Sequence, residues 1–242
     1  MHCTLEGSEA PAVIAQWARR PGRAVIFDFN GTLSDDESVL LRLFSDIFDE
    51  HLGWTLTGED YFSRLAGRSD REIIEIVVGE LRAGDPRLVE LLLVERRSRY
   101  FDVVAQQSPI LDETVAMVEV LCDAGVPLGI VTGAQRADVE FVLEQRRLSS
   151  TFVTIVAEED VTKGKPHPEG FIAAAEAMGV RPGSVLTFED STFGVRAAKA
   201  AGMYCIAVAG ARSTDEMSPA ADAVVDRLTP DLFDLLTAPI RS

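Results

Sequence analysis

Four places along the chain put a reactive polar group at the end of an apolar run. Residues 24–27 run directly into Asp28, then through Phe29, Asn30 and Gly31 to Thr32 and Leu33. Residues 127–131 end at Thr132 and Gly133. Residues 152–156 precede Lys163, Gly164, Lys165, Pro166, His167 and Pro168, and residues 185–188 end at Glu189 and Asp190. A carboxylate delivered to the tip of a buried strand can bind a metal ion and attack phosphorus, so the first segment points to phosphoryl chemistry. Lys163, Lys165 and Lys199 are the only lysines, every other base being arginine, which makes Lys165 stand out. Taken singly, each group has a plainer reading: Asp28 as a turn residue, Thr132 and the Glu189-Asp190 pair as helix caps, Lys165 as a solvated charge.

The elements that must hold these groups follow from hydrophobic patterning. Besides the four runs named, residues 205–208 and 223–225 are strand-like. The runs do not alternate with polar residues, so both faces of each strand are expected to be buried. Helical patterns over 114–122, 139–143, 171–178 and 195–201 separate the later runs, which predicts an α/β, Rossmann-like parallel sheet flanked by helices. In such a sheet the carboxyl ends of the strands share one edge, where ligands bind. Residues 34–108 differ. Leu40, Leu43, Phe44, Ile47 and Phe48 recur at helical spacing, as do Ile73, Ile74, Val77, Val78 and Leu81, and a further pattern runs from Leu88 toward Val104. An all-helical cap domain over 34–108 is therefore expected, inserted into a core of residues 1–33 and 109–242, with hinges near Ser34 and near 107–109. Ser8, Glu9, Ala10 and Pro11, followed by Val13, Ile14 and Trp17, can start a short amphipathic surface helix before the first strand.

The chain has 242 residues, enough to bury a sizeable core. Its 39 acids and 23 bases give a formal charge of −16, which repels nucleic acid and anionic membrane surfaces and demands local positive charge wherever a phosphate binds. No apolar run has the length of a membrane span, and residues 1–22 lack the basic-then-apolar pattern of a signal peptide. Cys3, Cys122 and Cys205 are widely spaced and suggest neither a disulfide framework nor a metal site, so a reducing cytoplasm is the expected compartment. Nothing separates a monomer from a dimer.

In this order and at these strand ends, the four segments resemble the haloacid dehalogenase superfamily of phosphatases and phosphotransferases, in particular its β-phosphoglucomutase-like branch with a helical cap. The stretch from Ala197 to Met203 is also family-like. The resemblance implies that Asp28 is the nucleophile forming an aspartyl-phosphate, and that Mg²⁺ is held by Asp28, Asp190 and the backbone carbonyl of Asn30, with Glu189 either behind these ligands or reaching the metal through water. It implies that Lys165 neutralises the nucleophile, and that Thr132 and Gly133 hold phosphate oxygens. The substrate is expected to be a small phosphorylated metabolite, with Arg64, Arg68 or Arg71 of the cap facing a second anionic group. Arg136 and Asp138 are further candidates for shaping the pocket.

Asn30 departs from the family pattern, which has an aspartate there as general acid and base. Three readings stay open: a phosphatase with a weak acid step, with Asp35, Asp36 or Glu37 as substitute donors; a phosphate-metabolite-binding module that has lost turnover; or restoration of the acid by deamidation at Asn30-Gly31. Leu40 stands where the mutase branch carries a histidine, which argues against sugar-phosphate mutation, and the absence of lysine from 34–108 argues against Schiff-base phosphonate chemistry.

Overall fold

The structure is a computed structural model and describes residues 9–209 and 220–234. Cys3 and Ser8 lie outside the described residues. Six parallel strands form one sheet in the order β3-β2-β1-β4-β5-β6. These are β1 (Ala24–Phe27), β2 (Leu128–Val131), β3 (Thr154–Val156), β4 (Val185–Glu189), β5 (Tyr204–Val208) and β6 (Ala223–Val225). The helices are α1 (Ala10–Ala18), α2 (Glu37–Leu52), the short α3 (Gly58–Asp60), α4 (Asp70–Arg82), α5 (Pro86–Val104), α6 (Asp112–Asp123), α7 (Arg136–Gln145), α8 (Glu169–Ala177) and α9 (Thr192–Ala200). The order in sequence reverses at β1, with β2 on one side and β4 on the other. This is the switch point at which doubly wound sheets open a crevice.

Both faces of β1 are buried, as its unbroken apolar run predicts. Val25 and Phe27 join one hydrophobic cluster, whereas Ala24 and Ile26 join another that includes Phe171 of α8 and Val195 of α9. Phe27 stacks on Phe188, its register partner in β4, with ring centroids 5.4 Å apart. The amphipathic face of α1 covers part of the sheet. Trp17 is fully buried and its Nε1 donates to Ser184 O at 3.0 Å. Strand β3 begins at Thr154 rather than at Phe152: Val153, at this sheet edge, is 62% exposed, and the register pairs with β2 start at Thr154 opposite Gly129.

Between β1 and β2 the described chain is helical. Helix α2 ends at Gly53, which takes the left-handed conformation at φ 68°. Helix α3 runs into a π-helical turn over Tyr61–Leu65. Helix α4 starts with a capping box in which Ser69 and Glu72 satisfy each other's backbone N–H groups. Phe44, Phe48, Tyr61, Ile74 and Leu92 of this insertion belong to the same cluster as Val25 and Phe27. Helix α5 meets α7 of the sheet layer through stacked Phe101 and Phe141, with centroids 4.4 Å apart.

Candidate active site

Register brings the acidic groups together. Phe27 pairs with Phe188, and the N–H of Asp28 still donates to Phe188 O at 2.9 Å, so Asp28 and Glu189 leave adjacent strand tips side by side. One carboxylate oxygen from each of Asp28, Glu189 and Asp190 lies within 4.8 Å of the others, and all three residues are buried. The chain can approach this closely because Gly31 has no side chain. At φ +75°, a Cβ there would stand 2.2 Å from Asp190 Oδ2.

Lys165 reaches into the cluster from the loop after β3. Its Nζ donates to Asp28 Oδ1, and to Glu189 Oε1 at 2.5 Å. Burial opposes its charge, but the two carboxylates win and hold its pKa above the ordinary lysine value. Burial pushes the Asp28 carboxyl up to about 7; Lys165 pulls against this and Glu189 adds to it. The second oxygen of Glu189 accepts from the N–H and the hydroxyl of Ser191, both at 2.8 Å. Three carboxylates and one lysine leave surplus negative charge in a buried site. An oxygen-ligated divalent cation would balance it.

Two cavities meet here. The smaller, about 30 Å³, is lined by Asp28, Asn30, Glu37, Leu40, Arg68 and Asp190, among others. The larger, about 340 Å³, lies between the start of α4 and the loop after β3. Gly67, Thr132, Gly133 and Lys165 line both. The hydroxyl oxygen of Thr132 accepts from Ala134 N–H at 3.0 Å, leaving its proton available.

The structure therefore gathers Asp28, Asn30, Thr132, Gly133, Lys165, Glu189, Asp190 and Arg68 around one crevice. Arg64 lines neither cavity and pairs with Glu80 at 2.6 Å. Arg68 lays its guanidinium 4.7 Å from the centroid of the Phe193 ring, and Arg71 pairs with Glu90 at 2.7 Å. Arg136 and Asp138 line neither cavity: Arg136 pairs with Asp160, and Asp138 with Arg96. Of the three acids after the turn, Asp35 is exposed and Glu37 lines the small cavity. Asp36 is fully buried behind Asn30, accepting from Asn30 Nδ2 at 2.8 Å, Ser34 Oγ at 2.6 Å and Tyr100 OH at 2.5 Å. Burial raises its pKa.

Two buried residues, Ser191 and Arg96, have no role that the sequence patterns assign. Ser191 carried a signal, since it directly precedes a helix and accepts from Gly194 N–H as its cap. Arg96 carried none. It is 1% exposed and bridges Asp70 at the start of α4, at 3.0 Å, and Asp138 in the first turn of α7.

Comparison with known proteins agrees with this geometry. A family model described as haloacid dehalogenase-like hydrolase matches residues 25–208. The chain is 32% identical over 213 residues to (DL)-glycerol-3-phosphatase 1 of Arabidopsis thaliana, covering 84% of this chain and 70% of the relative. It is 29% identical over 181 residues to the phosphorylated carbohydrates phosphatase of Thermotoga maritima, covering 74% and 82% respectively. The crystal structure of CbbY from Rhodobacter sphaeroides in complex with phosphate superimposes with a TM-score of 0.73 at 26% identity, covering 85% of this chain and 94% of that one. With the matched family spanning β1 through β5 and the acidic crevice at the sheet's switch point, the chain belongs to the haloacid dehalogenase-like hydrolases.

Proposed function

We propose that the protein is a Mg²⁺-dependent phosphatase of a small phosphorylated metabolite, working through an aspartyl-phosphate on Asp28. The observation that carries this reading is the convergence of Asp28, Glu189 and Asp190 within 4.8 Å beside Lys165, Thr132 and Gly133. Asp28, Asp190 and the carbonyl of Asn30 would hold the ion. Glu189, whose oxygens already accept from Lys165 and Ser191, would support the ion indirectly. The bound cation would neutralise phosphate charge and so let two anions meet.

The remaining steps belong to the chain. Lys165 pulls the Asp28 pKa back down against burial and so favours the carboxylate, Thr132 and Gly133 hold the phosphoryl oxygens, and the Asp28 carboxylate attacks phosphorus as the alkoxide leaves. Water then hydrolyses the acyl phosphate and frees Asp28. Asn30 can neither protonate the alkoxide nor deprotonate that water, a loss of about 10²–10⁴ in rate. Glu37 lines the same cavity and is the substitute donor. Residues 34–108 act as a cap over the core of 1–33 and 109–242, excluding water when closed. Arg68, rather than Arg64, is the cap arginine placed to meet substrate.

Relatives named for glycerol-3-phosphate and phosphorylated carbohydrates support a polyhydroxylated metabolite as substrate class. Leu40 lines the small cavity and supplies no proton, which disfavours the mutase reading. A reducing cytoplasm fits the free Cys122 and Cys205, and among the described residues no helix is long and apolar enough to cross a membrane. Phosphate release with Mg²⁺, compared between wild type and Asp28→Asn, tests the reading: loss of release in the variant supports it, and equal rates overturn it. Asn30, tied to Asp36, favours a second reading, a binding module without turnover. Metal-dependent ligand binding with no phosphate release would select that one.

A further inference from the structure

We propose that Phe193 is a positioning residue: its ring, at the start of α9, holds the guanidinium of Arg68 at the small cavity, so that Arg68 grips an oxygen of the substrate only while the helical insertion rests on the sheet layer at this point. The proposal rests on the phosphatase reading for the presence of a phosphate ester in that cavity, and adds to it the means by which Arg68 is held.

The insertion meets the sheet layer here through neighbouring residues. Gly67 packs against Ser191, the cap of α9: a Cβ on Gly67, at φ +83°, would stand 2.5 Å from Ser191 Cβ and 3.7 Å from Phe193 Cδ2. That contact fixes the backbone from which Arg68 extends. The guanidinium carbon of Arg68 then lies 4.7 Å from the centroid of the Phe193 ring, within cation–π range. Both residues are half-buried, and such a contact gains strength as water is excluded from it. The junction adjoins the acidic cluster, since the N–H and the hydroxyl of Ser191 both bond Glu189.

The rest of the guanidinium is little engaged. Its Nε donates to Arg64 O at 3.0 Å, which leaves the N–H groups of the Nη nitrogens. Among the described residues Arg68 makes no ion pair, whereas Arg71, which lines the larger cavity, is drawn to Glu90 at 2.7 Å and Glu75 at 3.7 Å. Lys165 and Arg68 are the cations lining the small cavity, and Lys165 is committed to Asp28 and Glu189. Arg68 is therefore the cation with donors to spare where a phosphate ester must enter a chain of formal charge −16. Glu37 and Asp70 line the same cavity and would compete for a guanidinium free to swing. Stacking on a ring uses no N–H group, so Phe193 can fix the plane of Arg68 and still leave its donors to a ligand.

The test measures kcat and KM with Mg²⁺ for the better substrate of glycerol 3-phosphate and glucose 6-phosphate, in wild type, Phe193→Leu, Phe193→Tyr, Arg68→Ala and the Phe193→Leu/Arg68→Ala double variant. Phe193→Leu keeps an apolar side chain and removes the π face, so KM should rise about three- to thirtyfold while kcat changes less. Phe193→Tyr, which retains the ring, should keep KM within about twofold of wild type. In the Arg68→Ala background Phe193→Leu should add no further loss, because nothing is left for the ring to position, whereas a merely structural role would cost the same in either background. An unchanged KM in Phe193→Leu, an equal rise in Phe193→Tyr, or a Phe193→Leu effect that persists in Arg68→Ala would overturn the proposal. Should Phe193→Leu not fold, Phe193→Met takes its place. If neither ester is hydrolysed by wild type, the phosphatase reading fails instead. The same proteins are then titrated with both esters and Mg²⁺ by calorimetry, where the same pattern in Kd sustains the role of Phe193, and Kd values indifferent to Phe193, or no binding at all, refute it.

Discussion

Replacing Arg96 by methionine should destabilise the protein in a strongly pH-dependent way. Arg96 is 1% exposed, lies 4.7 Å from the centroid of the Tyr100 ring, and faces two buried carboxylates, Asp70 and Asp138. One guanidinium between two carboxylates leaves the trio one negative charge in excess. Burial accordingly lifts the Asp70 carboxyl to about 7 against the pull of Arg96, and Asp138 shifts the same way for the same reason. Methionine fills much of the arginine volume but removes the charge. Loss of one partner of a buried ion pair typically costs about 3–5 kcal/mol.

A separate route gives a similar ceiling. A buried carboxyl with an unfolded pKa of 3.8 can escape its unpaired charge by taking a proton, which at pH 7 costs about 4 kcal/mol at 1.36 kcal/mol per unit. The sign follows from the raised folded pKa. Above about pH 4 the folded chain holds protons that the unfolded chain has lost, so stability falls as pH rises. Wild type should show this slope up to about pH 7, while Arg96→Met should show it more steeply, because two carboxyls then need protons. Urea denaturation at pH 5.5 and 7.5 measures both proteins. The expected loss is about 3–5 kcal/mol at pH 7.5 and clearly less at pH 5.5. A loss below about 1 kcal/mol, or one independent of pH, would refute the reasoning.

Three further outcomes are expected. Asn30→Asp should raise phosphate release from alkyl phosphates by about 10² or more and from aryl phosphates by less, because Asp36, 2.8 Å away, would keep the new carboxyl protonated as a general acid. Unchanged alkyl turnover would contradict this. Because the metal-free Asp28 carboxyl sits near 7, a cation must displace its proton at lower pH, so apparent Mg²⁺ affinity by thermal shift should weaken up to about tenfold per unit below pH 7. A flat profile would count against Asp28 as a ligand. Gly31→Ala would drive a Cβ into Asp190 Oδ2, and activity should fall about 10²-fold with loss of Mg²⁺ stabilisation while far-ultraviolet circular dichroism stays native. Retained Mg²⁺ stabilisation would argue against the metal site.

The parallel sheet was legible because its strands are buried on both faces, and runs such as 24–27 and 185–188 leave no polar alternation to misread. The crevice was legible for the same reason, since each reactive group follows a strand and strand ends share an edge. What escaped was whatever depends on side-chain partners far away in sequence. Arg96 sits beside Arg97 and Arg99 on α5 and looks like part of a solvated basic face until α4 and α7 fold against it. The arginines of the helical insertion were legible as charges but not as directions. Arg64 turns to Glu80, sixteen residues on, and away from both cavities. Asp36 was one of three neighbouring acids after the turn, and only packing beneath Asn30 and Tyr100 distinguishes it from exposed Asp35.

The central claim is that Asp28 accepts the phosphoryl group. With an amide at position 30 the acyl phosphate should hydrolyse slowly and accumulate during turnover. Quenching a reaction with Mg²⁺ and substrate, reducing with borohydride and sequencing the peptides by mass spectrometry should reveal homoserine at position 28. Phosphate release in which position 28 remains aspartate throughout, and which Asp28→Asn sustains at the wild-type rate, would contradict the account.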